Sequence, residues 1–334
     1  MRYGLIVWLG LAAGCVSQPL WGQTAIAQPE AMQWLQRIAG AAQKLSYSGT
    51  FVYQNGSQSE TSRIVHVVSN GNQMEKLEVL DGSPREVTRY NDEVKCYLPE
   101  SHLMIVEQRS TRRSFPALIP AGLAGLGDYY VVSKGSRVRV AGFDSQIIRL
   151  EPRDTLRYGH QFWVDQVTGL LLKAVMYGAR GEVLESLSFT ELHMGEPANL
   201  DVLKSSFANN ASEKAPWQVR QAKMRDIRDD AQWLFRAELP GFRRQAAMVR
   251  DIAPSSDAAA HQVLHWVYSD GLAALSVFIS PLHAQSETVD VGAKSLGAIS
   301  VMKRVVDGHM VVVMGDIPPQ AIKHFTEGVE VRGK

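Results

Sequence analysis

Nine histidines could bind a metal or move a proton: His66, His102, His160, His193, His261, His265, His283, His309 and His324. Only His261 and His265 stand four apart, in a stretch (AAHQVLHWV) that reads as a strand. Four-apart side chains converge far less on a strand than on a helix, and no Glu lies between them as a zinc protease requires. The chain has no Gly-x-Ser-x-Gly elbow, no phosphate-binding Gly-Lys-Ser/Thr loop and no dinucleotide fingerprint. Acid pairs such as Asp92-Glu93 and Asp229-Asp230 are sequence neighbours. Carboxylates that divide acid and base roles must instead meet across a cleft. The sequence therefore predicts a non-enzyme with no catalytic residues, no metal site and no cofactor.

The N-terminus bears on where the protein works. Arg2 precedes the apolar run 5–13 (LIVWLGLAA), and Ala25-Ile26-Ala27 forms a small-residue cleavage site before Gln28. That order is a secretory signal peptide, with an apolar core about half the length of a membrane span. Residues 1–27 are expected to be removed and the mature chain exported. A competing reading is that Leu11-Ala12-Ala13-Gly14-Cys15 is a lipoprotein cleavage site ending on a lipidated Cys15. Removing Arg2 leaves 34 basic and 34 acidic residues. Such a balance gives no long-range attraction for nucleic acid or an anionic membrane. If Cys15 leaves with the signal, Cys96 is the single remaining thiol and forms no internal disulfide. It reads as a small apolar residue of a strand, with a reactive thiol or intermolecular bridge as the alternative.

The 307 residues after Ala27 exceed a usual domain, so two domains are expected. Residues 30–45 place Met32, Leu35, Ile38, Ala39, Ala42 and Leu45 at helical spacing. Short β-like runs follow, broken at Asn55-Gly56, Asn70-Gly71 and Asp81-Gly82. They are 50–53, 62–68, 75–80, 85–90, 94–98, 102–108, 129–132, 137–140, 145–151, 160–165, 170–177 and 183–192, an antiparallel meander. Phe51 and Tyr53 face one side of it, Thr50 and Val52 the other. Residues 208–217 are small and polar and read as a linker. Beyond them, 219–235 reads as a mixed strand-to-helix region. Strands are expected at 246–252, 262–269, 273–279, 298–305 and 309–315, and a helix at 319–328 after Pro318-Pro319. The division is thus 1–27 signal peptide, 28–208 large domain, 209–218 linker and 219–334 small α+β domain.

The uncharged run 114–127 (SFPALIPAGLAGLG) is too rich in Gly and Pro for a strand and too apolar for an exposed loop. It reads either as a buried plug on the sheet's concave side or as a mobile lid over an acyl-chain cavity. The arginines before it, among them Arg112 and Arg113, read as a solvated edge or as partners for phosphate and carboxylate head groups.

Five separated motifs carry a family resemblance. They are Gly49-Thr50-Phe51-Val52-Tyr53, Leu80-Asp81-Gly82-Ser83-Pro84-Arg85-Glu86-Val87 and Ser114-Phe115-Pro116-Ala117-Leu118-Ile119-Pro120 in the first half. In the second half they are Leu239-Pro240-Gly241-Phe242, and Tyr268-Ser269-Asp270-Gly271-Leu272-Ala273 running into Ser276-Val277-Phe278. In this order, behind a signal peptide, the chain resembles the RseB/MucB family of periplasmic negative regulators of the sigma-E-type envelope stress response. Several of these residues, including Asp81-Gly82, Pro240-Gly241 and Asp270-Gly271, also have plain turn-forming roles.

The resemblance implies an α+β protein. Its large antiparallel half-barrel sheet would wrap round helices, as in lipoprotein carriers, beside a smaller α+β C-terminal domain. It also implies binding to the periplasmic segment of a transmembrane anti-sigma factor, shielding from site-one proteolysis, and release on sensing lipopolysaccharide or acyl lipid. Within that frame Phe115, Leu118, Ile119, Leu123, Leu126, Arg112 and Arg113 are the expected lipid-binding residues. Phe242, Tyr268, Leu272 and Phe278 are the expected partner-binding residues. A homo-oligomer stays open, and the alternative function is a periplasmic lipid or lipoprotein carrier.

Overall fold

The structure is a computed structural model and describes residues 24–25, 27–108, 125–207, 217–222, 224–227, 232–252, 261–282 and 292–333. The chain is mostly sheet. The strands of the first part are β1 (Thr24–Ala25), β2 (Tyr47–Asn55), β3 (Gln58–Ser69), β4 (Asn72–Val79), β5 (Glu86–Tyr90), β6 (Glu93–Leu98) and β7 (Leu103–Gln108). They continue as β8 (Tyr130–Val140), β9 (Phe143–Pro152), β10 (Gly159–Asp165), β11 (Leu171–Tyr177), β12 (Val183–Met194) and β13 (Gln218–Ala222). The second part has β14 (Met224–Asp226), β15 (Trp233–Phe235), β16 (Arg243–Ile252), β17 (His261–Ser269) and β18 (Ala274–Pro281). It ends with β19 (Gly292–Leu296), β20 (Ile299–Val306), β21 (His309–Gly315) and β22 (Val329–Val331). The α-helices are α1 (Gln28–Lys44), α2 (Leu126–Tyr129) and α3 (Pro319–Glu327).

Thirteen strands form one sheet in the order β1-β8-β9-β10-β11-β12-β2-β3-β4-β5-β6-β7-β13. Helix α1 lies on one face of it. Leu35, Ile38 and Ala39 pack with Ile148, Leu150, Phe162, Val164 and Leu171, while Ala41 meets Phe51, Leu172, Leu187 and Phe189. That split follows the helical spacing of its apolar residues. Tight turns hold the meander. Asn70 and Gly71 have φ of 50° and 77° between β3 and β4. Two consecutive left-handed residues match the twist of a two-residue hairpin, and Asn-Gly adopts them at low cost.

Seven strands form the second sheet, in the order β14-β16-β17-β18-β21-β20-β19. Its alternation puts Leu275, Val277, Ile279, Val311 and Val313 against Ala321, Ile322 and Phe325 of α3. β15 and β22 pair beside it, and Trp233 and Val329 join the same core.

Three local expectations are corrected. The runs 129–132 and 137–140 are one strand, β8, with a register shift between Lys134 and Arg137. Gly135-Ser136, between the two runs, is a bulge where a Cβ on Gly135 would crowd Ile147 at 3.0 Å. Between 219 and 235 the described residues form strands and no helix. Their partners β7, β16 and β22 lie far off in the chain, so local periodicity carries no trace of them. The meander also gains a parallel pair, because β13 runs alongside β7 from Gln218↔Leu103 to Ala222↔Glu107. Residues 218–222, assigned from sequence to the linker's end and the small domain, are thus hydrogen-bonded to the large sheet.

Candidate functional site

The densest polar chemistry lies where the two sheets meet. The β17–β18 hairpin tip turns at Asp270, whose Oδ1 accepts from the backbone N–H of Leu272 and Ala273 at 2.9 Å each. Ser269 locks the turn by donating to the Ala273 carbonyl at 2.8 Å. With its own turn satisfied, Asp270 offers Oδ2 to the large sheet, where Arg157 Nε donates at 2.6 Å and the Tyr130 hydroxyl at 3.3 Å. Both side chains of the Arg157–Asp270 pair are fully buried. Arg157 also donates to Asp154 and to the Pro240 carbonyl. The rings of Tyr129 and Phe242 lie 4.6 and 5.1 Å from its guanidinium carbon. Gly241, at φ +86°, has no room for a Cβ beside the Tyr129 ring.

Burial and the Asp270 carboxylate push the Tyr130 hydroxyl well above the usual phenol range, so it stays a donor. Burial also pushes the Asp316 carboxyl up to about 6, with Glu185 and Asp270 adding to the rise. Two residues after Asp270 in the hairpin tip, Leu272 inserts into the large sheet's core beside Tyr130, Leu150 and Phe162. A chemically balanced latch therefore joins two elements far apart in sequence. A buried arginine with a forked, planar donor set suits such a post better than a lysine would.

Further ties surround it. Ala298 N donates to Asn55 Oδ1 at 3.2 Å, and Tyr158, Met176 and Ala298 form a small apolar cluster. Gln320 donates to the Thr155 carbonyl at 2.8 Å, and Arg250 meets Glu107 at 2.9 Å. A second polar group lies inside the large sheet, where cross-strand neighbours Tyr47, His66, Glu75 and Arg89 run across β2 to β5. Burial, opposed by Arg89, pushes Glu75 up to about 7. No sequence signal announces this row, because its members come from four different strands.

Of the expected lipid-binding residues, Arg112, Arg113, Phe115, Leu118, Ile119 and Leu123 lie outside the described residues. Leu126 is fully buried at the start of α2, against the core under α1. Of the expected partner-binding residues, Leu272 is taken up by the large sheet's core and Phe242 flanks Arg157. Tyr268 packs on Phe235 and Phe325, on the α3 side of the small sheet. Phe278 lies on the opposite side and stacks on His265 at 4.2 Å. His265 itself shares a hydrogen bond with the Ser276 hydroxyl at 3.0 Å, and burial lowers its ring to about 4. Cys96 is a half-buried residue of β6, opposite Val87 and Ile105. Sequence reasoning missed Arg157, Asp154 and Tyr130 and read Asp270 as a turn former. The Asp270-Gly271 turn motif was the one visible signal.

Comparison with known proteins gives this junction a context. Residues 30–210 match the family model of the MucB/RseB N-terminal domain, and residues 228–330 match that of the MucB/RseB C-terminal domain. The sigma factor AlgU regulatory protein MucB of Pseudomonas aeruginosa is 32% identical over 296 residues, covering 86% of this chain and 87% of that protein. The sigma-E factor regulatory protein RseB of Escherichia coli K12 is 24% identical over 313 residues, covering 93% and 94%. The solved complex of Pseudomonas aeruginosa MucA and MucB superposes with a TM-score of 0.69 at 27% identity, covering 91% of this chain and 100% of that one. A crystal structure of MucB in complex with MucA(peri) gives 0.68 at 28% identity, covering 91% and 100%. The relatives named are regulatory proteins. With both of its halves matched in order, this chain belongs to the MucB/RseB family.

Proposed function

We propose that the chain is a periplasmic regulator that binds the periplasmic segment of a membrane anti-sigma factor, shields it from site-one proteolysis and releases it on sensing lipopolysaccharide or acyl lipid. The observation that carries the reading is its likeness, over 91% of its length, to MucB solved with MucA(peri). The buried latch at Arg157 adds a physical reason. A regulator that grips a segment with two units needs those units held in a defined relation, and a buried, fully bonded ion pair favours one arrangement over others.

In this reading residues 1–27 are the exported leader, and 28–208 and 219–334 are domains joined by 209–218. Cleavage after Ala27 would remove β1 and leave β8 as the sheet edge. The large sheet closes as a half-barrel round α1, and acyl chains enter near Phe115, Leu118, Ile119, Leu123 and Leu126, with Arg112 and Arg113 at the phosphates. Leu126, buried beside Leu35 and Ile38, supports an apolar floor there. The segment is held by the small domain, with Phe242, Tyr268, Leu272 and Phe278 forming or shaping its seat. No catalytic step is part of the reading. A lipid can act only through its difference in affinity for the free and partner-bound forms.

The test uses the chain from Gln28 onward, titrated with the periplasmic segment of the anti-sigma factor from the same organism, with and without lipopolysaccharide. Tight binding that lipid weakens is expected. Binding unaffected by lipid would remove the lipid switch, and lipid capture without partner binding would move the function to a carrier.

A further inference from the structure

Sheet edges expose unpaired backbone groups, and folded proteins usually shorten, charge, bulge or cover them. At the ends of the two sheets, β1 has two residues and β14 three, and β13 runs beside β7 with β16 close by. β19 differs. It pairs with β20 in unbroken register from Gly292↔Lys303 to Leu296↔Ile299, and all five of its residues are exposed. It contains no proline and no bulge, and its single charge is Lys294. The two-residue turn Gly297-Ala298 makes Leu296 and Ile299 the mutually bonded pair. By alternation, Ala293 and Ser295 direct their N–H and C=O groups away from β20.

The sheet face reaching that edge mixes apolar residues with two lysines, Lys303 between Val301 and Val305 on β20 and Lys294 opposite Val301 on β19. Opposite α3, the alternation turns Phe278, Val301, Val305, Val312 and Met314 outward, and Leu296 continues the row at the edge. Leu296 is 51% exposed, Val305 39% and Met314 36%. At its Leu296 end the strand runs into the junction of the two sheets, because Ala298 is bonded to Asn55 of the β2–β3 hairpin.

We propose that β19 is a strand-addition site, at which an extended polypeptide pairs with Ala293 and Ser295 as an eighth strand. On the face opposite α3 its alternate side chains then lie beside Lys294 and Leu296, and its path leads into the junction between the sheets. Main-chain pairing supplies affinity and the Lys294 and Leu296 side chains supply selection, as in other β-augmentation. The occupant is the anti-sigma segment, so the proposal rests on the function proposed above. Continuity of the edge with the interdomain junction favours that segment over a second copy of the chain, whose edge-to-edge pairing would not engage the junction.

Ala293→Pro and Ser295→Pro remove the outward N–H groups without removing a bond to β20. The mature full chain and both variants are titrated with the anti-sigma segment, melting temperature serves as the folding control, and amide exchange of the unaltered chain is measured with and without the segment. Binding should weaken at least tenfold in each variant, and the Ala293 and Ser295 amides should gain protection in the complex. Full binding by the unaltered chain with unchanged variants and no gain of protection overturns the proposal while leaving the regulator reading intact. Loss of binding by the unaltered chain overturns both. Segment-independent dimers that Ser295→Pro dissolves would assign the edge to a second copy and overturn it as well.

Discussion

Arg157 reaches a carboxylate 113 positions further along the chain. Neither partner of that pair meets water. Breaking a buried pair on one side typically costs about 3–5 kcal/mol, because the remaining charge is left without compensation. Asp270→Ala should lower unfolding stability by about that amount in a urea titration. A loss below about 1 kcal/mol would mean that Asp154 and the Pro240 carbonyl satisfy the guanidinium alone. His160 gives a second test. Its ring lies against Tyr130 and Phe162, and its Nε2 is buried without a hydrogen-bond partner. Burial lowers its pKa to about 3 from 6.5, so folding favours the neutral ring. Its contribution is fully present above pH 6.5 and drains as pH falls toward 3. Relative to the unaltered chain, His160→Leu should therefore gain stability on acidification, by about 2 kcal/mol at pH 5. Thermal melts from pH 8 to pH 4 would read this, and parallel curves would refute it. The histidine was visible in sequence, but its burial was not, since the strands that enclose it alternate no differently from exposed ones.

The elements were largely legible. Helix α1 follows its apolar spacing, and most strands follow alternation between Gly- and Asn-marked turns. Errors fell where a bulge interrupted the alternation, as at Gly135-Ser136, or where pairing came from a distant strand, as at β13. Turn glycines separate in the same way. Gly71 at φ +77° has open space around it, whereas a Cβ on Gly297 at φ +55° would overlap the Asn55 side-chain oxygen. Gly71→Ala should cost about 1 kcal/mol, the strain of the left-handed backbone alone. Gly297→Ala should lower the melting temperature more, because it also displaces the β2–β3 hairpin from the second sheet. Equal shifts would show that this contact adds nothing.

For the whole molecule, the prediction concerns coupling. Leu118→Asp with Ile119→Asp should abolish the effect of lipopolysaccharide on partner binding while leaving partner affinity within about twofold, a difference of roughly 0.4 kcal/mol. Equal loss of both, measured by the same titration, would indicate unfolding rather than a lost lipid site. Charge balance, the meander, the second sheet-and-helix part and the family resemblance were all legible in the sequence, because each rests on composition or on short local motifs. The tertiary structure decided what those parts do to one another. It placed Leu272 and Phe242 at the junction, turned Asp270 from a turn former into the acceptor for Arg157 as well, and put β19 at the end of the second sheet among the described strands. Those outcomes depend on which distant segments meet in three dimensions, and a single chain's local pattern carries no record of that.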